Sequence, residues 1–409
     1  MIDARPLIHG SCDPEFASVQ EAFADNFRRR GEIGAAVCVY KDGKKVVDLW
    51  GGFKDVEKTE PWDKDTIVIM NSLAKSMTSL CVHILIDRGK VDFDAPVADY
   101  WPEFAQAGKQ SVLIRHILSH TDGVIYCDQA SPGSWFRWEE HIRALEKQEP
   151  AWAPGTYGAY NSINIGYLLG EVLRRVTGET VGSFLRKEVT EKLGADYHIG
   201  LRPDEIARVT DMHQNPKNGF FLVAADPSSP LGRAFRSAPK IGYFQNSRKI
   251  REIEVPSFGG HGNARAIARI YAMLAADGTL DGTHILSAAA VERTRWLVWE
   301  RDCIMTKRYL RMGFGFMHNE PNTLPMGMNM AAYGHSGTGG AFAWCDRDRN
   351  MAFAYCTNFQ REGPGIGARG AVLSLAAGGG TPPFHEEGKS RLCIYCFCER
   401  AVAGQSHDR

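Results

Sequence analysis

Hairpin signals lie near both ends of this chain, and no other feature limits its fold as much. Residues 35–50 (AAVCVYKDGKKVVDLW) are two β-rich runs flanking Lys41-Asp42-Gly43-Lys44, and Asp-Gly is a strong turn signal. Residues 341–345 (AFAWC) and 351–357 (MAFAYCT) flank the polar turn Asp346-Arg347-Asp348-Arg349-Asn350. Between these hairpins the chain carries mainly helical patterns, at 112–119 (VLIRHILS), 161–176 (NSINIGYLLGEVLRRV) and 263–276 (NARAIARIYAMLAA). Strands at both ends with helices between predict one sheet built from both termini, with a helical region inserted beside it. The expected division is an α/β sheet unit of residues 1–95 with 285–377, a helical unit of 96–284, and an atypical tail of 378–409. No internal repeat is visible.

A chain of 409 residues with 44% hydrophobic content is long enough to bury a large core. Lys plus Arg equals Asp plus Glu at 48 each. A neutral chain has no long-range field for gathering nucleic acid or anionic membrane, so neither is an expected partner. No run of about 18 apolar residues occurs, and no transmembrane helix is expected. The first residues, MIDARPLIHGSCDPEF, lack the basic and apolar regions of a secretory signal. Seven of the ten cysteines are scattered singly through the first 356 residues. Several lie in apolar runs, such as Cys38 in AAVCVY and Cys356 in FAYCTN, as small buried hydrophobes do. Reduced cysteines point to a cytosolic location.

Residues 66–70 (TIVIM) read as a short strand, and Asn71 just after it can cap a helix. Within that helix Met77, Leu80, Cys81, Ile84 and Leu85 share one face, and Gly89 is a stop signal. The helix opens with Ser72-Leu73-Ala74-Lys75, an S-x-x-K pattern. Two fixed positions in four arise by chance about once in a chain this long, and a second copy stands at Ser237-Ala238-Pro239-Lys240. Context separates them. On a helix, residues i and i+3 share a face, which brings Lys75 Nζ within reach of Ser72 Oγ; the second copy contains Pro239 and has no helical pattern. A serine hydroxyl is a poor nucleophile until a base takes its proton, and burial lowers a lysine pKa enough for that task. The N-terminus of the helix also favours an oxyanion near Ser72.

Two further segments supply candidate partners. In Pro154-Gly155-Thr156-Tyr157-Gly158-Ala159-Tyr160-Asn161-Ser162, Tyr160 precedes a helix and can relay protons. In Tyr333-Gly334-His335-Ser336-Gly337-Thr338-Gly339-Gly340, small residues let a substrate lie against an edge strand. There the Thr338 N–H pairs with that of Ser72 as an oxyanion donor, and His335 contacts the substrate or tunes the site. No G-x-S-x-G elbow, H-E-x-x-H, Walker loop or dinucleotide spacing is present; no cofactor or metal is expected. Cys393, Cys396 and Cys398 form C-x-x-C-x-C, but a structural zinc site normally takes four ligands, and a disordered tail is the better expectation.

These three segments, in this order, resemble the serine β-lactamase/penicillin-binding-protein superfamily, and most closely class C-type β-lactamase-related proteins and family VIII carboxylesterases. Leu113–Gly123 (LIRHILSHTDG) and Gly259–Arg269 (GGHGNARAIAR) are similar to two more family segments. The resemblance spans about residues 15–375. It implies a β-lactamase/transpeptidase-like α/β (α+β) fold, with an antiparallel sheet flanked by helices beside an all-helical domain. It also implies an acyl-enzyme on Ser72 with Lys75 and Tyr160 as the acid/base pair, and His335, Ser336, Gly337 and Thr338 at the substrate. Two departures bear on the substrate. The family's K-T-G lysine is replaced in His335-Ser336-Gly337, and histidine is mostly neutral at pH 7. The Asn expected at 162 is Ser162, with Asn161 one place early. Both favour a carboxylesterase acting on small esters over a β-lactamase or D-amino-acid peptidase; a non-catalytic, self-assembling relative is the reading of another class. The family's final helix begins at 368–377 (ARGAVLSLAA) and is broken by Gly378-Gly379-Gly380. Aromatics at Tyr126, Trp135, Phe136, Trp138, Phe220 and Phe221 are candidates for an acyl pocket in the loops 124–150 and 214–256.

Overall fold

The computed structural model describes residues 7–240, 244–363 and 365–380. The cysteine cluster Cys393–Cys398 and most of the expected tail lie outside these residues.

The two hairpins form as the turn residues require. Gly34–Lys41 pairs with Lys44–Gly52, and Asp42 and Gly43 both take positive φ. Two successive left-handed residues twist the connection in the same sense as the strands. Phe342–Asp346 pairs antiparallel with Met351–Thr357. The hairpins join directly, because Met351–Thr357 also pairs with Gly34–Lys41. The result is a nine-stranded antiparallel sheet drawn from both ends of the chain. Ile8–Cys12 closes one side; Tyr333–Ser336, Met317–His318, Arg308–Gly313 and Leu297–Cys303 extend the other in that order.

Helices cover both faces, which explains why the central strands are apolar without alternation. Val37, Val39, Phe353 and Tyr355 face one layer, where Phe16, Phe23 and Leu373 pack. That layer is made by the helices Ala17–Arg29 and Gly367–Ala377, which contact each other. Ala36, Cys38, Ala354 and Cys356 face the opposite layer. These small side chains let the Ala264–Ala275 helix lie against the strands. That helix was expected within the helical insertion; its packing places it on the sheet. The cysteines among the described residues behave as small hydrophobes: all seven are free, six of them buried, and burial pushes the Cys356 thiol up to about 12.

The Leu73–Asp87 helix is buried on every side from Leu73 to Leu85, the signature of a helix packed on all faces. It contacts Tyr333–Ser336 on the sheet side and the Asn164–Thr177 helix on the other. It stops where expected, with Gly89 at positive φ just after it. Before it, Val68–Asn71 joins a small three-stranded sheet with Gly260–Gly262 and Tyr197–Ile199. Tyr197–Ile199 and Gly260–Gly262 are too short to show a period, so only the strand at residues 66–70 was legible in the sequence. Asn71 does not cap the helix. It ends the strand at φ +51, and Ser72 occupies the cap position.

Candidate active site

The site begins with the turn from strand to helix at residues 71–73. A serine that caps a helix adopts extended backbone and accepts an amide hydrogen bond with its side chain. Ser72 does neither: it is αR (φ −66, ψ −5), and its hydroxyl makes no capping bond. The sharp bend is taken up by Asn71, a residue type that tolerates the left-handed region. Ser72 Oγ instead lies 3.0 Å from Lys75 Nζ, so the i, i+3 geometry expected from the sequence is realised. The second S-x-x-K copy has a different fate, as Ser237 Oγ accepts a hydrogen bond from Trp135 Nε1 at 2.9 Å.

Lys75 is 1% exposed. Its partners are Ser72 Oγ and the Ser257 carbonyl, which it meets at 2.8 Å. Its Nζ also sits 5.1 Å from the centre of the Tyr160 ring. Burial holds its pKa well below the ordinary lysine value. The Ser257 segment is pinned from three directions. Thr78 Oγ1 donates to Pro256 O, Gly166 N–H donates to Ser257 Oγ, and Ser257 Oγ donates to Ile163 O. Gly166 permits this approach, since a Cβ there would lie 2.4 Å from Ser257 N. The sequence reading missed Ser257; a glycine early in an apolar helix was the available signal.

Tyr160 lines the cleft at Ser72. Burial raises its pKa, with the Ser72 hydroxyl and the Arg308 charge acting in the opposite direction. The Leu113–Gly123 segment serves as its backing. His120, at φ +59, stacks on the Tyr160 ring at 5.3 Å. The His120 carbonyl accepts from Ala159 N–H, and His120 Nδ1 accepts from Asn161 N–H. Asn161 is structural: its Oδ1 accepts from the amides of Asn164 and Ile165, opening the next helix. Ser162 is the residue that lines the cleft beside Ser72, and its buried hydroxyl has no hydrogen-bond partner among the described residues.

The Gly-rich segment is divided in its roles. Ser336, Gly337 and Thr338 line the cleft with Ser72. His335 is fully buried beside the Tyr160 ring, 6.1 Å away, and does not line it. Its Nδ1 bonds the Ser336 carbonyl. Burial and the nearby Lys75 push its pKa down to about 3, so it is neutral. The strand Tyr333–Ser336 is interior to the sheet, not an edge. Its outer neighbour pairs only with Tyr333 and Gly334, which leaves residues 335–338 open on that side. The glycines serve the protein's own packing. A Cβ on Gly337 would sit 2.2 Å from Met70 O, so its backbone approaches the nucleophile strand directly.

Of the six aromatic candidates, Trp135, Phe220 and Phe221 line the cleft beside Ser72, joined by Phe235, Phe244 and Phe258. Phe136 and Trp138 line a separate apolar cavity behind Trp135. Tyr126 is covered by the Arg233 guanidinium at 3.9 Å. Two cationic residues that the sequence reading passed over, Arg308 and Arg361, also line the cleft. No helix among the described residues is long and apolar enough to cross a membrane.

A serine hydroxyl against a buried lysine that pairs with no carboxylate among the described residues, at the junction of a sheet and a helical layer, defines a serine hydrolase. The chain belongs to the beta-lactamase family, whose profile matches residues 19–377. It is 32% identical to "Esterase/beta-lactamase LipL" of Mycobacterium tuberculosis, over 87% of this chain and 84% of that protein. A family VIII carboxylesterase structure superposes with TM-score 0.84 at 36% identity, covering 91% of this chain and 99% of that one. A penicillin-binding protein homologue from Caulobacter crescentus gives TM-score 0.83 at 35% identity, covering 91% and 99%.

Proposed function

We propose that the protein is a carboxylesterase that hydrolyses small esters through an acyl-enzyme on Ser72. The observation that carries this reading is the 3.0 Å contact between Ser72 Oγ and a lysine whose other hydrogen-bond partner is a carbonyl. In the neutral state the Lys75 lone pair accepts the Ser72 proton as Oγ attacks the ester carbon. The oxyanion is held by the backbone N–H groups of Ser72 and Thr338. Tyr160, kept protonated by burial, donates to the departing alkoxide and later takes a proton from the water that releases the acid. His335 is neutral and buried behind the cleft, so the third segment offers a β-lactam carboxylate no cation of its own, which supports an ester. The names of the relatives, an esterase/beta-lactamase and a carboxylesterase, support the same choice. The seven free cysteines among the described residues suit a reducing, cytoplasmic setting.

Hydrolysis of p-nitrophenyl acetate by the wild type and by Ser72→Ala tests the reading. The substitution is expected to lower kcat by about 10³-fold or more. Equal turnover by both proteins overturns it. Rapid turnover of a chromogenic cephalosporin, with little ester activity, reassigns the substrate to the β-lactam class.

A further inference from the structure

We propose that Trp135 sets the limit on acyl-chain length by closing the Ser72 cleft against a second, larger apolar cavity, and that Ser237 holds it closed. The inference rests on the reading of Ser72 as the nucleophile of an esterase. It deepens that reading to a substrate class: esters of very short acyl groups, acetyl above all.

Two unequal volumes meet at Trp135. The free space beside Ser72 is about 20 Å³, room for a group the size of a methyl or a water molecule. The cavity behind it offers about 310 Å³, the size of a small-molecule pocket. Trp135 lines both and is 1% exposed. Its ring meets those of Phe235, Phe244 and Phe258 edge to face, at 5.2, 5.9 and 5.2 Å. All three of those rings belong to residues that line the cleft. On the far side lie Phe136, Trp138, Val181 and Ile253. One residue therefore stands between the nucleophile's cleft and the cavity.

The cavity suits a hydrocarbon chain. Its charged residues already have partners: Arg174 pairs with Glu139 and Glu171, and Glu254 accepts from Thr180 Oγ1 and Gly182 N–H. The Trp138 indole donates to Glu171. What remains is aromatic and aliphatic surface, which favours each methylene group buried against it.

Ser237, the serine of the second S-x-x-K copy, acquires a role here. Its hydroxyl accepts from Trp135 Nε1 at 2.9 Å. Its carbonyl accepts from Gly133 N–H at 2.9 Å, and Gly133 opens the Ser134–Phe136 turn that carries the ring. The Trp135 carbonyl accepts from Tyr167 Oη at 2.8 Å. Indole and backbone are both fastened, so the ring stands as a wall. The Ser72, Lys75 and Tyr160 arrangement uses none of these bonds.

The experiment compares kcat/KM for p-nitrophenyl octanoate with that for p-nitrophenyl acetate. The wild type is expected to disfavour the octanoate by about tenfold or more. Trp135→Ala joins the two volumes and is expected to raise the octanoate-to-acetate ratio by about tenfold. Ser237→Ala keeps the ring but unfastens it, and is expected to raise the ratio by about threefold. Val181→Phe, added to Trp135→Ala, refills the cavity and is expected to abolish the gain. A wild type that takes both esters equally well overturns the proposal. So does a ratio left unchanged by Ser237→Ala and Trp135→Ala; if Trp135→Ala fails to fold, Ser237→Ala decides alone. A gain that survives Val181→Phe comes from the space the ring vacates, and that too overturns the role of the cavity. Calorimetry with heptanophenone, an unreactive ketone with a hexyl chain, separates this proposal from the nucleophile assignment. Tighter binding to the Ser72→Ala/Trp135→Ala double variant than to Ser72→Ala upholds the wall even if Ser72 is not the nucleophile. Equal affinity refutes the wall and leaves the Ser72 assignment standing.

Discussion

Lys75 carries the chemistry at the residue scale because of what does not surround it. Its hydrogen-bond partners are a hydroxyl and a carbonyl, with an aromatic face nearby. A buried ammonium needs a carboxylate; a buried amine does not. Its folded pKa therefore lies well below the unfolded value. Between those two values the unfolded chain binds the extra proton, so this group makes stability rise with pH through the window. The same shift sets the rate. A base with ordinary lysine basicity would make kcat/KM climb about tenfold per pH unit up to about pH 10. With the Lys75 pKa held well below the ordinary lysine value, the rise in kcat/KM for p-nitrophenyl acetate is expected to end well before about pH 10. A pH–rate profile after correction for spontaneous hydrolysis checks this, and a slope persisting to pH 10 contradicts the assignment of Lys75 as base. His335 contributes no limb in this range, since its pKa is near 3.

Elements decide whether these side chains meet, and here glycine placement matters more than motif. Gly337 lets the strand after His335 touch Met70 O; an added Cβ would lie 2.2 Å from that oxygen. Gly337→Ala is expected to cost about 1–3 kcal/mol and to lower ester kcat as well, because Thr338 and Asn71 move with the strands. Thermal melting and steady-state kinetics read the two effects; unchanged values for both refute the packing role. The sequence made some of this legible and hid the rest for physical reasons. Lys41-Asp42-Gly43-Lys44, the Ser72 helix and Gly89 were readable because turn chemistry and apolar spacing are local. The S-x-x-K pair was readable because i and i+3 contacts are local too. Leu297–Cys303 and Arg308–Gly313 were not: they lie on the outer side of the sheet and carry exposed residues such as Glu300 and Tyr309. Arg308 and Arg361 stand in no motif, and only the fold brings residues 53 positions apart into one cleft. Asn71 was misread as a cap because a capping residue and a strained hinge favour the same side chain.

On the scale of the whole molecule, the two ends of the chain are tied together at one buried charge. Glu32 follows the Ala17–Arg29 helix, and its side chain is fully buried. It accepts from Tyr355 Oη and Thr357 Oγ1 on the central strand and from Arg369 on the Gly367–Ala377 helix. Arg369 also donates to the carbonyls of Phe359 and Gln360, just before the cleft residue Arg361. This single cluster thus joins the Ala17–Arg29 helix, the sheet and the Gly367–Ala377 helix. It also anchors the segment that presents Arg361 to Ser72. Removing one member of a buried pair leaves the other charge uncompensated, which costs about 3–5 kcal/mol. Arg369→Met is expected to lower stability by that amount in urea denaturation. Replacing Glu32 by Gln in the same chain removes the stranded charge and is expected to restore part of the loss. The double variant separates two causes: recovery identifies the carboxylate as the source of the instability, and no recovery assigns it to the bonds that Arg369 makes to Phe359 and Gln360. A single variant as stable as the wild type contradicts the view that the two termini are held as one unit through Glu32.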